Sequence, residues 1–211
     1  ADSDAWLGST TITGASIIGT ASYTGYAEVW NDLDEHQVDN TFPAYASVTR
    51  AMGAGDKEGD DPYEETWAEA NGNGDWARAW ARSETQYTLL VTGSLSVTQL
   101  WGYSQMLEAD AVGDYSKAYS QAYFSIYYAG GWHDYVNQIT NELFGADEFF
   151  TDEGGGEIQF TIDLEPGEYL VKAGVYNTAY AKTSGVPVPA AIWLLGSGLI
   201  GLVGLRRKNK S

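Results

Sequence analysis

The chain has 211 residues with no cysteine, 29 acidic residues and 11 basic residues, and a formal charge of −18. The lack of cysteine excludes a disulfide framework, a thiol nucleophile and a cysteine-ligated metal centre. Four basic residues lie in the last six positions, so residues 1–185 carry seven basic residues and all 29 acidic ones. Because so acidic a surface repels phosphate backbones, we expect no nucleic acid partner.

The chain divides into four predicted parts. Residues 1–182 form an acidic ectodomain, and residues 183–189 form a linker with a Val-Pro-Val-Pro motif. Residues 190–205 form a transmembrane-like helix, and residues 206–211 form a basic cytoplasmic tail. The ectodomain is long enough for one sizeable core, and an aromatic content of 14% argues against disorder.

The first half of the ectodomain predicts β-strands. Residues 6–13, 15–30 and 44–52 are strand candidates. In residues 76–83, large side chains alternate with alanine or serine, which is typical of the two faces of a strand. Residues 86–99 are rich in β-branched side chains and continue this pattern.

The second half is less uniform. Residues 106–111 and 115–128 are predicted to pair across a turn at 112–114. Tyrosines recur every four residues in 115–128, which fits a strand face or a helix stripe; small and apolar residues between them favour the strand. Residues 132–144 are predicted as the one helix of the ectodomain. Residues 157–164 and 169–180 are predicted as a hairpin with a Pro-Gly turn. The fold class predicted is an all-β, antiparallel, jelly-roll-like β-sandwich.

Catalytic motifs are missing from the sequence. It contains no Walker A motif, no His-Glu-x-x-His motif and no Gly-x-Ser-x-Gly elbow. His133 is followed by Asp134, but a surface histidine explains it better than a catalytic triad. We therefore predict a protein that is not an enzyme.

Two acidic loops are candidates for calcium binding, and calcium is the one cofactor that the sequence suggests. Carboxylate and amide oxygens are calcium ligands, although neither loop follows the EF-hand pattern. The candidate ligands are Asp56, Glu58, Asp60, Asp61, Asn71, Asn73 and Asp75.

The aromatic residues support two interpretations. Exposed tryptophan and tyrosine rings on a β-sandwich could stack on the sugar rings of an exopolysaccharide. Alternatively, these side chains form the core of the sandwich, an interpretation that we favour for most of Trp30, Trp67, Trp76, Trp80 and Trp101.

The last 26 residues combine a proline motif, an apolar segment and a basic cluster. Pro187 and Pro189 set the start of the apolar helix, because proline is excluded from a helix interior. The sixteen uncharged residues 190–205 extend about 24 Å as a helix and can span a membrane only marginally. The positive-inside rule places the basic cluster in the cytoplasm and the preceding domain outside. That basic cluster consists of Arg206, Arg207, Lys208 and Lys210.

This tail resembles the PEP-CTERM family of sorting signals, in its VPxPA variant. The motif residues are Val186, Pro187, Val188, Pro189 and Ala190, and the matching helix residues are Trp193, Gly196, Ser197, Gly198, Gly201 and Gly204. The resemblance implies secretion in a Gram-negative bacterium, transient anchoring in the inner membrane and processing by an exosortase. It then implies a place at the cell surface or in the extracellular matrix. The chain starts at Ala1 without methionine, as expected after removal of a signal peptide.

These features together predict a non-enzymatic, surface-sorted protein that associates with exopolysaccharide or biofilm matrix. The alternatives are a self-assembling subunit of a β-rich filament and a secreted hydrolase that acts on polysaccharide.

Overall fold

The computed structural model describes residues 1–31, 35–41, 44–48, 51–58, 61–70, 75–109, 112–145 and 148–184. This part of the chain is all β and contains no helix. It forms one open, antiparallel sheet in the order β3-β4-β5-β1-β6-β10-β7-β8, with β2 also paired to β1 and β9 to β6. The strands are β1 (Asp2–Asn31), β2 (Glu35–Thr41), β3 (Ala44–Val48), β4 (Ala51–Glu58), β5 (Asp61–Ala68), β6 (Trp76–Ala109), β7 (Asp114–Tyr128), β8 (Gly131–Gly145), β9 (Glu148–Asp163) and β10 (Gly167–Lys182).

Strands β1 and β6 run antiparallel along each other for almost their whole length. Both are far longer than ordinary strands, and their register shifts near the middle, between Thr13 and Ala15. Gly14 adopts a φ of 81° at this point, and a Cβ there would lie 1.9 Å from the carbonyl oxygen of Ser94. Only glycine fits both constraints, so Gly14 permits the bend in this pair of strands.

The bend divides the sheet into two leaves. The front leaf contains residues 15–31 of β1 and 76–91 of β6, together with β2, β10, β7 and β8. The back leaf contains residues 2–13 of β1 and 94–109 of β6, together with β3, β4, β5 and β9. Strand β6 therefore belongs to both leaves, with β10 paired along its first half and β9 along its second.

Side chains from the two leaves form a common core. Phe124 of β7 contacts Phe160 of β9, with ring centroids 5.5 Å apart, and Tyr135 of β8 stacks on the same Phe160 at 3.6 Å. Leu89 and Val171 of the front leaf are completely buried in this cluster. The leaves thus face each other, and their inward side chains exclude water between them.

One end of the interface is lined by small residues. Ala77 and Ala79 of β6 and Ala179 of β10 are fully buried there, together with Ala27 of β1. Since alanine projects little from the backbone, the two leaves approach closely at this end.

A polar network also joins the leaves. Ser3 of β1 lies 3.0 Å from Ser120 of β7, and the Gln105 side chain donates to Ser120 at 2.8 Å. Asn141 of β8 donates to Gln105 at 2.9 Å and to Asp152 of β9 at 2.8 Å. These hydrogen bonds satisfy side chains that would otherwise carry a desolvation cost inside the fold.

The all-β, antiparallel prediction is confirmed, as is the strand over residues 115–128. The jelly-roll-like sandwich stays a prediction. The prediction of a helix over residues 132–144 is wrong, because this segment is strand β8. The predicted helix over residues 190–205 lies outside the described residues.

Two predicted pairings are also wrong. The segments that contain residues 157–164 and 169–180 do not form a hairpin, because β9 and β10 follow one another along the same edge of β6. Residues 106–109 do not pair with β7 either, because this end of β6 pairs with β1 and β9, whereas β7 pairs with β10 and β8. The turn between them is present at residues 112–113.

Candidate carbohydrate-binding surface

The outward face of the front leaf carries a row of aromatic rings that crosses four strands. Trp80 of β6 lies against Tyr26 of β1, with centroids 4.1 Å apart, and against Tyr176 of β10 at 5.3 Å. Tyr119 of β7 extends the row, 5.6 Å from Tyr176. Alternation in each strand places these rings outward, because the residues between them point into the core.

A second row runs parallel to the first, nearer the end of the leaf. Tyr115 of β7 contacts Phe144 of β8 at 4.5 Å and Tyr180 of β10 at 5.7 Å. The guanidinium of Arg78 lies 5.2 Å from the Trp30 ring on the adjacent strands. The outward face is therefore a broad aromatic surface.

An open depression of about 450 Å³ lies beside the first row. It combines flat rings with hydrogen-bonding and charged groups from four strands. Its lining residues are Trp80, Arg82, Gln121, Tyr123, Ser125, Trp132, Asp134, Val136, Lys172 and Tyr176.

The floor of the depression is set by the register of three strands. Gly174 of β10 lies opposite Glu84 of β6 on one side and Tyr123 of β7 on the other. A Cβ on residue 174 would lie 2.4 Å from the hydroxyl oxygen of Tyr123. Glycine therefore lets the Tyr123 ring cross β10 and reach β6.

Glu84 does not itself line the depression, but it is the centre of a hydrogen-bonded cluster that holds three lining residues, Arg82, Tyr123 and Lys172. The Tyr123 hydroxyl donates to its Oε2 at 2.8 Å, and the Lys172 ammonium donates to its Oε1 at 2.9 Å. Arg82 binds Oε2 as an ion pair and also donates from Nε to the Tyr123 oxygen at 3.0 Å. Thr24 of β1 donates to Oε1 at 3.1 Å. Both carboxylate oxygens are thus occupied, and the side chain is only 8% exposed.

These contacts keep Glu84 ionised. Burial alone raises the pKa of its carboxyl, but the hydrogen bond from Lys172 and the charge and hydrogen bond of Arg82 outweigh burial. With a further hydrogen bond from Tyr123, the pKa falls from 4.5 to about 2. Burial raises the pKa of Tyr123 itself, so its hydroxyl stays protonated and able to donate.

Trp132 forms one rim of the depression. It lies on β8, is 40% exposed and has the Lys172 ammonium 5.1 Å from its ring centroid. Tyr127 packs edge-on against it at 5.6 Å. A flat, accessible indole thus stands beside the hydrogen-bonding groups of the floor.

The tryptophans do not form the core that the sequence favoured. Only Trp101 of the five is buried, at 5% exposure, whereas Trp30, Trp67, Trp76 and Trp80 are half-buried. Trp30 and Trp80 belong to the outward aromatic surface. The prediction of a tryptophan core is wrong for these four residues, because alanine, leucine and valine fill the inward positions instead.

The structure describes no side chain for most of the calcium candidates. Asp60, Asn71 and Asn73 lie outside the described residues, and the structure describes no side chain for Asp56, Glu58 or Asp61. The carbonyl of Asp75 accepts a hydrogen bond from the Thr183 amide at 3.0 Å. Within the described ranges, no three His, Asp or Glu side chains are placed to hold a metal ion.

The sorting residues, from Val186 to the basic cluster that ends in Lys210, all lie outside the described residues. Over the ranges that the structure does describe, no helix has the length and hydropathy needed to cross a membrane.

The cluster around Glu84 was missed by sequence reasoning. The alternation in residues 76–83 grouped Trp80 and Arg82 on one strand face, and the tyrosine repeat placed Tyr123 on one face of its strand, but neither pattern showed that these faces point outward. Nothing in the sequence places these strands on either side of β10. The signal available was the clustering of basic and aromatic residues on the same outward positions.

Comparisons with known proteins add one firm assignment. Residues 185–208 match the family model described as the PEP-CTERM protein-sorting motif. No curated protein matches the chain significantly. A solved structure of TmCBM61 in complex with β-1,4-galactotriose aligns with 47% of this chain and 66% of that chain, at 14% identity and a TM-score of 0.11. A TM-score of this size does not establish a shared fold. The chain carries a PEP-CTERM sorting motif, and this motif implies a secreted protein that an exosortase-type membrane enzyme processes for the cell surface.

Proposed function

We propose that this protein is a non-enzymatic surface or matrix component that binds polysaccharide on the outward face of its front leaf. The observation that carries the proposal is the depression in which Trp80, Trp132 and Tyr176 surround the polar groups of Arg82 and Gln121. Sugar rings have an apolar face and a rim of hydroxyls. A surface with flat rings beside donors and acceptors matches both parts of such a ligand.

The aromatic row favours an extended ligand. It crosses four strands, from Tyr26 to Tyr119, and adjacent strands lie about 4.8 Å apart, so the row is roughly 14 Å long. The depression is open to solvent beside this row. An internal stretch of a polysaccharide chain can therefore lie across the strands.

The chemistry of the floor supports binding rather than catalysis. A general acid works best with a pKa near the working pH, whereas Glu84 has a pKa of about 2. Its oxygens are also already bonded to Tyr123 and Lys172. Glu84 is thus arranged to hold the side chains that surround it.

The sorting motif gives this binding surface a location. Under the proposal, the tail anchors the protein transiently in the inner membrane of a Gram-negative bacterium until an exosortase-type enzyme processes it. The ectodomain, a jelly-roll-like sandwich, then associates with exopolysaccharide at the cell surface or in the biofilm matrix.

The test is affinity electrophoresis of the protein in gels that contain individual polysaccharides. Trp132→Ala removes an accessible ring from the rim of the depression and is expected to weaken retardation at least tenfold. Trp6→Ala is the matched control, because Trp6 is 37% exposed but lies on the outward face of the back leaf. Equal loss of binding in both variants would contradict the assignment of the site.

Self-assembly into a filament is the second candidate. Strand β8 is 15 residues long and forms the end of the described sheet path, paired only with β7 in the described residues. An uncovered strand edge can pair with an edge of another copy. Electron micrographs of purified protein test this idea: periodic fibres that Val136→Pro abolishes would support it, and dispersed particles at high concentration would refute it.

A further inference from the structure

The charges of the ectodomain are unevenly distributed. Residues 1–185 contain only seven basic residues against 29 acidic ones. Five of those seven lie at outward positions of the front leaf: Arg78, Arg82, Lys117, Lys172 and Lys182. The outward face of the front leaf is therefore where most of the positive charge of a strongly acidic domain is found.

The positive charges at the depression are already balanced by carboxylates. Arg82 and Lys172 both bind the Glu84 carboxylate, and Asp134 lies on the same surface. Two positive and two negative side chains leave this surface without net charge. A carboxylate on an incoming sugar would have to displace Glu84, which holds its two cations through charge-assisted hydrogen bonds and is hardly exposed.

Lys117, outside the depression, is also paired. Its ammonium lies 2.7 Å from Glu142 Oε1 on the adjacent strand. Beyond the front leaf the acidic residues dominate, and their summed field repels a polyanion that approaches from solution. Both the local pairing and the overall charge therefore disfavour an anionic ligand.

We infer that the depression binds an uncharged polysaccharide, built from neutral sugars, in preference to polymers that carry uronate or sulfate groups. This inference rests on the proposed function and specifies the chemical class of its ligand. Gln121 and Ser125, with the charged groups beside them, provide the donors and acceptors for sugar hydroxyls. Trp80 and Trp132 provide the stacking surface.

Binding to matched polymers tests the inference. We would use full-length protein in detergent and three pairs of neutral and anionic polymers with the same backbone: hydroxyethyl cellulose with carboxymethyl cellulose, dextran with dextran sulfate, and unmodified with oxidised, carboxylated pullulan. Affinity would be measured at 0.05 M and 0.5 M NaCl. We expect binding to at least one neutral polymer that changes less than about twofold with salt, since no net ion pairing is involved. We expect its anionic partner to bind at least tenfold more weakly.

The outcomes separate the inference from the proposed function. Preferential binding of the anionic polymers, lost at 0.5 M NaCl, would overturn the neutral-ligand inference and leave polysaccharide binding intact. No binding to any of the six polymers at either salt concentration would contradict the proposed function. Salt-resistant binding of a neutral polymer that Trp132→Ala removes and Trp6→Ala retains would support both.

Discussion

The Tyr123 hydroxyl donates a 2.8 Å hydrogen bond to Glu84 across an intervening strand. Tyr123 lies on β7 and Glu84 on β6, and β10 separates them in the sheet. The contact is possible because Gly174, the residue of β10 between them, has no side chain. This relationship joins three strands of the front leaf through side chains as well as through the backbone.

Replacing Tyr123 with phenylalanine should destabilise the protein. The ring would remain, but Glu84 would lose one donor and Arg82 Nε would lose its acceptor. We expect the free energy of unfolding in urea to fall by about 1–2 kcal/mol. Tyr127→Phe is the control, because Tyr127 is 44% exposed on the same strand and should change stability by less than about 0.5 kcal/mol. Equal stability of the two variants would show that the Tyr123 hydroxyl is dispensable.

Gly174→Ala should disrupt the same contact sterically. The new Cβ would lie 2.4 Å from the Tyr123 hydroxyl and 2.5 Å from the Ser83 carbonyl oxygen. Since the backbone of β6 cannot move freely, we expect a loss of about 1–3 kcal/mol in urea denaturation. Gly131→Ala is the matched control, because a Cβ there has nothing within 4 Å. A Gly174→Ala variant as stable as Gly131→Ala would refute the close approach.

The prediction of a helix over residues 132–144 failed for a physical reason. A strand with one buried face shows regular alternation when its inward residues are apolar. In β8 two inward positions are Asn137 and Asn141, which bond across to the Glu157 carbonyl and to the Asp152 and Gln105 side chains of the back leaf. Those partners lie elsewhere in the chain, so the sequence of β8 alone shows no strand pattern.

The predicted hairpin of residues 157–164 and 169–180 is wrong for a different reason. The chain does bend at Pro166, as turn chemistry indicates, but it does not reverse, because β9 and β10 run in the same direction along β6. Turn residues do not specify whether the flanking strands pair with each other or with a third strand. Here the 34-residue β6 provides an edge long enough for both β9 and β10.

The candidate site could be predicted only in part. Alternation in β6 and β7 is local, so it grouped Trp80 with Arg82 and Tyr123 with the neighbouring tyrosines on single strand faces, but it did not show which of these faces point outward. The contact of Glu84 with Lys172 depends on the order of the strands, because these residues are 88 positions apart. Strand order follows from long-range packing, which one sequence does not reveal.

Asp4 should make stability depend on pH near neutrality. Burial, followed by the charges of Asp2 and Glu65, raises the pKa of its carboxyl from 3.8 to about 7. Between about pH 4 and 7 the folded protein therefore binds a proton that the unfolded chain does not, so this contribution to stability is complete below about pH 4, falls as the pH rises and is lost above about pH 7. Glu84, with a pKa of about 2, stays ionised over this range.

Asp4→Asn tests that linkage, because asparagine resembles the protonated carboxyl. We expect the variant to gain more stability over the wild type at pH 8 than at pH 5, as measured by urea denaturation at both values. Asp163→Asn, at an exposed position, should show no such difference. The same gain at both pH values would mean that Asp4 does not titrate in this range.

Ser184, the last residue before the sorting motif, is held against the domain by two hydrogen bonds. Its amide donates to Asp114 Oδ1 at 2.9 Å, and its hydroxyl donates to the Val112 carbonyl at 2.9 Å. Asp114→Ala removes the acceptor, so the Ser184 amide should exchange with deuterium about tenfold faster, which corresponds to the loss of one ordinary hydrogen bond. The core amide of Leu89 and the variant Asp163→Ala serve as controls for global unfolding. An unchanged rate at Ser184 would show that the segment is held by other contacts, whereas the expected change would show that Asp114 holds the residue that directly precedes the sorting motif at residues 185–208.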